Sequence, residues 1–180
     1  MKNILMIDLE TTGTKPGCRV LTLGAFGFDK NGEQCEFYVR MDPSLMDPTI
    51  FFNEQSTIDW WKKQTVDAYS EAFGGKTDPK AAIGEFKFWF LQHFETANRG
   101  NKFEVWSCGI DFDFPILRQF MENLGYNQLW YFWQQFDYRT IKNCFPEIKK
   151  FEQNAAKHTA LEDCKAQMRG LRAFKNREYA

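Results

Sequence analysis

One stretch near the start of the chain, Ile4 to Gly13, constrains the fold more than any other. Its apolar residues Ile4 to Ile7 predict a strand that is buried on both faces. Asp8 and Glu10 follow, and because strand side chains alternate, both carboxylates are expected on one face. Two such acids repel each other, and a hard divalent cation such as Mg²⁺ relieves that repulsion. The same spacing also fits a strand that runs into a polar loop, so this stretch alone leaves a metal site open.

The composition is that of a folded domain. With 180 residues, of which 43% are hydrophobic and 26% charged, we expect a single domain over residues 1–180 with a sizeable core. The sequence contains neither a transmembrane run nor a signal-peptide pattern, so no membrane partner is expected. The five cysteines lack metal-binding spacing, which favours reduced thiols and a cytoplasmic location. A net charge of −1 gives no argument for a nucleic-acid partner.

Hydrophobic patterns predict an order of strands followed by alternating helices and strands. Strands are expected at 19–29 and 33–40, joined antiparallel by an Asn31-Gly32 turn, and at 103–107. Helices are predicted at 57–64 with Ser56 or Thr57 as cap, at 66–73, from Asp78-Pro79 to 98–101, from Pro115 to Gly125, after Asp137, and at 160–174. Residues 146–157 are expected to form a polar loop. This order favours a mixed sheet flanked by helices.

A third acid lies between a predicted strand and a predicted helix. Asp113 follows the strand at 103–107 and precedes Pro115, a residue favoured at the first position of a helix. Taken alone, this position favours a helix cap. Asp111 is nearby, so composition does not decide which of the two acids is functional.

The last predicted helix begins beside a histidine. Thr159 and Glu162 form a capping-box pattern, which places His158 just outside the helix and Asp163 in its first turn. An unperturbed imidazole pKa of about 6.5 suits a general base near neutral pH. The other histidine, His93, lies in an aromatic helix and is interpreted as structural.

Four carboxylates and one histidine thus occur in a defined order along the chain. This order resembles that of the DEDDh family of 3′-to-5′ exonucleases. The segments that carry the resemblance are Asp8-Leu9-Glu10-Thr11-Thr12-Gly13, Gly109-x-x-Phe112-Asp113-x-x-x-Leu117 and His158-x4-Asp163. Further segments are similar to those of phage exonuclease A and related exoribonucleases: Thr57 to Lys62, Phe112 to Leu117 and Asp137 to Thr140.

The family pattern decides between the two neighbouring acids. It places Phe directly before the metal ligand and Leu four residues after it, which matches Phe112 and Leu117 around Asp113. Four residues make one helical turn, so Leu117 is expected to anchor the turn beneath the ligand in the core. Asp111 is then expected to be solvated or to act only indirectly.

The resemblance implies a ribonuclease H-like α/β fold, a mixed sheet of three antiparallel strands followed by parallel strands, flanked by helices. It also implies two-metal phosphodiester hydrolysis with Mg²⁺ or Mn²⁺. In the family pattern Asp8 bridges both ions, and Glu10 and Asp163 complete one of them. Asp113 holds the other, partly through water, and His158 orients and deprotonates the attacking water.

The implied partner is the 3′ end of single-stranded DNA or RNA, from which nucleoside 5′-monophosphates are released. Thr11 is a candidate contact for the terminal nucleotide. Trp60 and Trp61 are candidates for base stacking, worth about 1–3 kcal/mol per base, and core packing is the alternative for this pair. The choice of sugar and the oligomeric state stay open, with a homodimer as one option. If the protein is phage-encoded, its location is the host cytoplasm.

Other functional classes predict different properties. A non-catalytic nucleic-acid-binding module would usually have lost one of the five residues, whereas all five are present. A metal phosphatase would also cluster acids but would not need the Trp60-Trp61 segment. A pure interaction protein would bind no metal, so calorimetry with Mn²⁺ separates it from both enzymes.

Overall fold

The structure is a computed structural model that describes residues 1–96, 102–152 and 159–177. Its centre is a five-stranded sheet in the order β3-β2-β1-β4-β5. The strands are β1 (Ile4–Thr11), β2 (Val20–Phe28), β3 (Gln34–Arg40), β4 (Glu104–Ser107) and β5 (Gln135–Asp137). The first three pair antiparallel, whereas β4 runs parallel to both β1 and β5. This confirms the predicted mixed sheet of a ribonuclease H-like α/β fold.

Helices cover both faces of the sheet. The α-helices of the described residues are α1 (Gln55–Trp61), α2 (Val66–Phe73), α3 (Pro79–His93), α4 (Ile110–Asn123), α5 (Tyr138–Cys144) and α6 (Ala160–Lys175). Apolar residues of α3 and α4 pack on one face, and those of α5 and α6 pack on the other. A smaller cluster joins α1 and α2 to β2. None of the helices formed by the described residues has the length and apolar character needed to cross a bilayer.

The alternation of β1 determines where its acids lie. Leu5, Ile7 and Leu9 belong to the core cluster on the α3–α4 face. Ile4 and Met6 belong to the cluster on the α6 face. The even-numbered residues therefore face α6, and the side chains at positions 8 and 10 continue this row.

The start of α4 differs from the prediction. The helix begins at Ile110, with Gly109 as its N-cap, so Pro115 lies inside the helix rather than at its first position. Asp113 is therefore an acid of the first turn and not a helix cap. Pro115 is tolerated because it removes only the hydrogen bond to the carbonyl of Asp111, an exposed residue close to the helix start.

Three other boundaries also differ. The N-cap of α1 is Glu54, not Ser56 or Thr57, and it makes no side-chain capping bond because its carboxylate accepts hydrogen bonds from Thr14 instead. The expected loop at 146–157 contains a 3₁₀ helix, Pro146–Glu152, anchored by the fully buried Ile148. Helix α3 ends at His93, where the extended backbone of Phe94 stops it, so it is shorter than predicted; residues 98–101, the predicted end, lie outside the described residues.

Candidate active site

Three carboxylates meet between β1 and α6. Asp8 and Glu10 project from β1 toward α6, and Asp163 projects from the first turn of α6. One oxygen of each of the three lies within 4.8 Å of the others. Residues 155 positions apart along the chain therefore form one acidic cluster.

The close approach of α6 to the sheet depends on a glycine. Gly24 of β2 lies opposite Asp8 in the antiparallel register, and a Cβ atom there would overlap the backbone of Ala160 and Leu161. The thiol of Cys164 also donates a hydrogen bond to the Gly24 carbonyl over 3.3 Å. Because Gly24 has no side chain, the first turn of α6 rests directly on β2 and brings its acid to the β1 carboxylates.

The N-terminus of α6 lacks the predicted capping box. Thr159 is the N-cap residue, but its side chain makes no capping hydrogen bond. Glu162 contacts the Nζ atom of Lys165 at 3.1 Å. His158 lies outside the described residues, so its role as a general base stays a prediction.

A fourth carboxylate reaches the cluster from the opposite helical layer. Asp113 is only 2% exposed and lies in the first turn of α4, close enough to Asp8 and Glu10 to influence their charge. Leu117, one turn later, is buried in the core as predicted. Asp111 is exposed. Of the two acids, Asp113 is thus the buried one beside the cluster, and its role as a metal ligand stays a prediction.

Burial and mutual repulsion disfavour the ionised forms of these acids. Burial, then the charges of Asp113 and Asp163, raises the pKa of Asp8 well above its ordinary value. Burial, then Asp8 and Asp163, raises the pKa of Glu10 to about 9. Burial also raises the pKa of Asp113 to about 7, against opposing effects that include the charge of Arg139. In the absence of a cation, protons therefore take up part of the negative charge at neutral pH.

Gln167 is a member of the site that the sequence analysis missed. Its Nε2 atom donates a hydrogen bond to Oδ1 of Asp8 over 3.3 Å, and the residue is only 8% exposed. This hydrogen bond favours the charged form of Asp8 and so lowers its pKa. The sequence feature that could have identified Gln167 is its spacing from Asp163. It follows Asp163 by four residues and thus lies on the same face of α6.

The acids open into a cleft of about 530 Å³. The lining also includes Thr11, Trp60 and Trp61, the three predicted substrate contacts. The Thr11 hydroxyl donates to the Gly13 carbonyl over 2.6 Å, so it already has a protein partner.

Trp61 is 1% exposed, and its Nε1 atom donates to the Thr11 carbonyl over 2.9 Å. Trp60 is 42% exposed and meets Trp61 edge to face. Of the two tryptophans, Trp60 therefore presents ring surface to solvent, whereas Trp61 is part of the core.

The donor set fits divalent cations. Hard cations such as Mg²⁺ take oxygen ligands at roughly 2.0–2.6 Å, so oxygens on opposite sides of one ion lie about 4–5 Å apart. The oxygens of Asp8, Glu10 and Asp163 all lie within 4.8 Å of one another, so they are close enough to contact one ion. Asp113 adds a further carboxylate beside them, and Gln167 supports Asp8 from the side. The residues present are thus suited to hold oxygen-preferring cations.

Comparison with known proteins assigns the family. The family model described as the 3′-5′ exoribonuclease Rv2179c-like domain matches residues 3–174. The chain belongs to this family. The match covers every strand of the sheet and all four acids, and it confirms the resemblance to 3′-to-5′ exonucleases found in the sequence.

A phage protein is also similar to this chain. An exodeoxyribonuclease of Enterobacteria phage T4 is 29% identical over 123 residues, which cover 62% of this chain and 52% of the phage protein. The chain therefore spans about half the length of this relative. The family description names RNA as the substrate and the name of the phage protein names DNA.

Proposed function

We propose that the protein is a metal-dependent 3′-to-5′ exonuclease that hydrolyses single-stranded nucleic acid to nucleoside 5′-monophosphates. The observation that carries this proposal is the convergence of the Asp8, Glu10 and Asp163 oxygens within 4.8 Å, beside the buried Asp113, in an open cleft. The match to the exoribonuclease family supports the direction of cleavage.

The proposed cofactors are two divalent cations, Mg²⁺ or Mn²⁺. Asp8 would contact both ions, Glu10 and Asp163 would complete the first, and Asp113 would hold the second, partly through water. When bound, such ions neutralise the phosphate and stabilise the attacking and leaving oxygens. They also supply the positive charge that a chain of net charge −1 lacks.

The remaining steps belong to the side chains of the protein. His158, which immediately precedes the N-cap of α6, would accept the proton of the attacking water. The face of Trp60 would support the terminal base by stacking, and Thr11 would contact the same nucleotide through its backbone or methyl group. The buried ring of Trp61, which contacts Trp60 and donates a hydrogen bond to the Thr11 carbonyl, would keep this end of the cleft in place.

The proposed substrate is a single-stranded or frayed 3′ end. A terminal nucleotide has to leave its stack and its base pair to reach the acids, which costs a few kcal/mol in a duplex. We propose that both DNA and RNA are accepted, since the family description names one and the phage relative the other.

The test is degradation of 5′-labelled DNA and RNA oligomers side by side, single-stranded and as blunt duplexes. We expect a descending ladder of labelled products with Mn²⁺ or Mg²⁺, faster on single strands, and none with EDTA. Activity that survives EDTA, or immediate release of the labelled nucleotide, contradicts the proposal. Mn²⁺ calorimetry on the same sample distinguishes an inactive metal-binding protein from one that binds no metal.

A further inference from the structure

A cationic side chain in the cleft has no role in the mechanism proposed above. Among the described residues that line the cleft, Arg139 is the one with a permanent positive charge, and four of the others are the carboxylates of the acidic cluster. Arg139 is exposed at the surface of the cleft and lies in the first turn of α5. Burial raises the pKa of Asp113 and the charge of Arg139 opposes that rise, so the guanidinium lies near enough to act on the acidic cluster and on an anion that enters the same cleft.

Hydrogen bonds that link the start of α5 to the start of α4 fix the position of Arg139. The carboxylate of Asp137 accepts hydrogen bonds from the backbone N–H of Gly109 over 3.1 Å and of Arg139 over 3.2 Å. The Nη2 atom of Arg139 donates to the Cys108 carbonyl over 2.7 Å. The guanidinium therefore lies across the turn that begins α4, the helix that carries Asp113.

Gly109 makes room for this arrangement. Its φ of +126° is a backbone conformation that other residues rarely adopt, and a Cβ atom there would lie 3.0 Å from the Nη2 atom of Arg139. The guanidinium donates to the Cys108 carbonyl, and it also interacts with the Cys108 thiol, where its hydrogen bond and charge oppose the rise in pKa caused by burial. A guanidinium carries five N–H groups, and because Arg139 is exposed in the cleft, those that point away from Cys108 can reach a ligand.

The order of the strands gives the cleft two ends. Trp60 belongs to α1, which packs beside β2, on one side of the acids of β1. Arg139 follows β5 and contacts the residue after β4, on the other side of β1. If the departing nucleoside lies at the Trp60 end and its phosphate lies at the acids, the retained strand leaves past Arg139.

We propose that Arg139 binds the phosphate immediately 5′ of the scissile phosphodiester, in the strand that remains after cleavage. This inference rests on the proposed exonuclease function. A guanidinium suits the task because its parallel N–H groups match two phosphate oxygens, which the point charge of a lysine does not. The enzyme would thereby require two consecutive phosphates, one at the acids and one at Arg139.

A pair of dinucleotides measures the effect of this second phosphate separately from that of the scissile phosphate. A dinucleotide with a free 5′ hydroxyl has only the scissile phosphate, whereas its 5′-phosphorylated form also offers the group that Arg139 would bind. For the wild-type protein with Mn²⁺, we expect kcat/KM to be about 10- to 100-fold higher for the phosphorylated form, the range for a charged hydrogen-bonded pair. Arg139→Gln should lose this preference through a raised KM, and Arg139→Lys should keep part of it.

Two controls distinguish substrate contact from a structural role. Arg118→Gln removes the same charge from an exposed position of α4 outside the cleft and should keep the full preference. Mn²⁺ affinity of Arg139→Gln should stay within about threefold of wild type. A wild-type protein without the preference overturns the inference. So does an Arg139→Gln variant that loses Mn²⁺ affinity and slows on both dinucleotides equally, because Arg139 would then only position the turn before Asp113. Wild-type protein that degrades neither dinucleotides nor longer strands rejects the exonuclease function itself.

Discussion

The side-chain amide of Gln167 in α6 donates a hydrogen bond to Oδ1 of Asp8 in β1, across 3.3 Å. An amide N–H at this position fixes the orientation of the carboxylate and favours its ionised form. It thus couples the last helix to the strand at the centre of the sheet. In metal sites, partners of this kind orient the ligands that touch the ion.

Replacing Gln167 is therefore expected to weaken metal binding without removing a ligand. Gln167→Ala should raise the Kd for Mn²⁺ by about 10- to 100-fold, measured by calorimetry, because Asp8 loses its orienting partner. Gln119→Ala is the matched control, since Gln119 bonds to Asn123 on α4 and does not line the cleft. Unchanged Mn²⁺ affinity in Gln167→Ala would show that Asp8 is held in place by other contacts.

The two acids of the α4 start should behave differently. Asp113→Asn is expected to abolish exonuclease activity with the fold intact, because the buried carboxylate is a proposed metal ligand and the amide has nearly the same shape. Asp111→Asn changes an exposed side chain and should keep a substantial fraction of the activity. Rates on a 5′-labelled oligomer, with circular dichroism as the folding check, decide the matter. If Asp111→Asn is inactive and Asp113→Asn is active, the metal ligand is Asp111 and not Asp113.

The two histidines provide a second matched pair. His158→Ala should lower the rate by about 10²–10⁴-fold while Mn²⁺ affinity is retained, because a general base acts on water and does not hold the ions. The wild-type rate should rise with pH through the imidazole range, near 6.5, and this rise should vanish in the variant. His93→Ala removes an imidazole whose Nδ1 atom lies 3.8 Å from Asp29 and should leave the rate unchanged. Near-normal turnover by His158→Ala would exclude the base role.

The acidic cluster should make the metal-free protein less stable as the pH rises. The pKa of Glu10 is about 9 and that of Asp113 about 7 in the folded protein, against about 4 in an unfolded chain. Between these values the folded state holds protons that the unfolded state has released. The stabilisation from these groups is thus complete below about pH 4 and is lost as the pH rises through 7 and 9.

Thermal unfolding of matched variants measures this effect. In EDTA, Glu10→Gln should melt near the wild-type temperature at about pH 4 and above it at pH 6, with a still larger difference at pH 9, since the amide does not ionise. Adding Mn²⁺ should raise the wild-type Tm more at pH 9 than at pH 6, because the ion replaces the protons. A difference between variant and wild type that is the same at all three pH values would contradict the pKa of Glu10.

Local patterns predicted much of the fold. Asp78-Pro79 begins α3 as expected, with the Asp78 carboxylate accepting from the Ala81 N–H over 2.9 Å. The Asn31-Gly32 turn joins β2 to β3, and Gly32 has the positive φ that such a turn needs. The Asp8 and Glu10 spacing predicted their common face. In each case the deciding interaction lies within a few residues of the chain.

Other features depend on contacts that the sequence does not display. The need for glycine at position 24 follows from the backbone of α6, more than 130 residues later. The burial of Trp61 and the exposure of Trp60 depend on how α1 packs against β2, and both residues fit a short apolar helix equally well. The role of Gln167 depends on its hydrogen bond to Asp8, which forms only when α6 packs against β1. The acids were identified by family resemblance, whereas their supporting contacts required the structure.

The most direct test of the central claim is hydrolysis of a 5′-labelled single-stranded oligomer in ¹⁸O-labelled water with Mn²⁺, followed by mass spectrometry. Attack of water on the phosphorus breaks its bond to the 3′ oxygen of the retained strand. We expect nucleoside 5′-monophosphates that carry one ¹⁸O, shortened strands that end in an unlabelled 3′ hydroxyl, and no products from Asp8→Asn. Label in the shortened strand, or equal turnover by Asp8→Asn, would contradict hydrolysis at this acidic cluster.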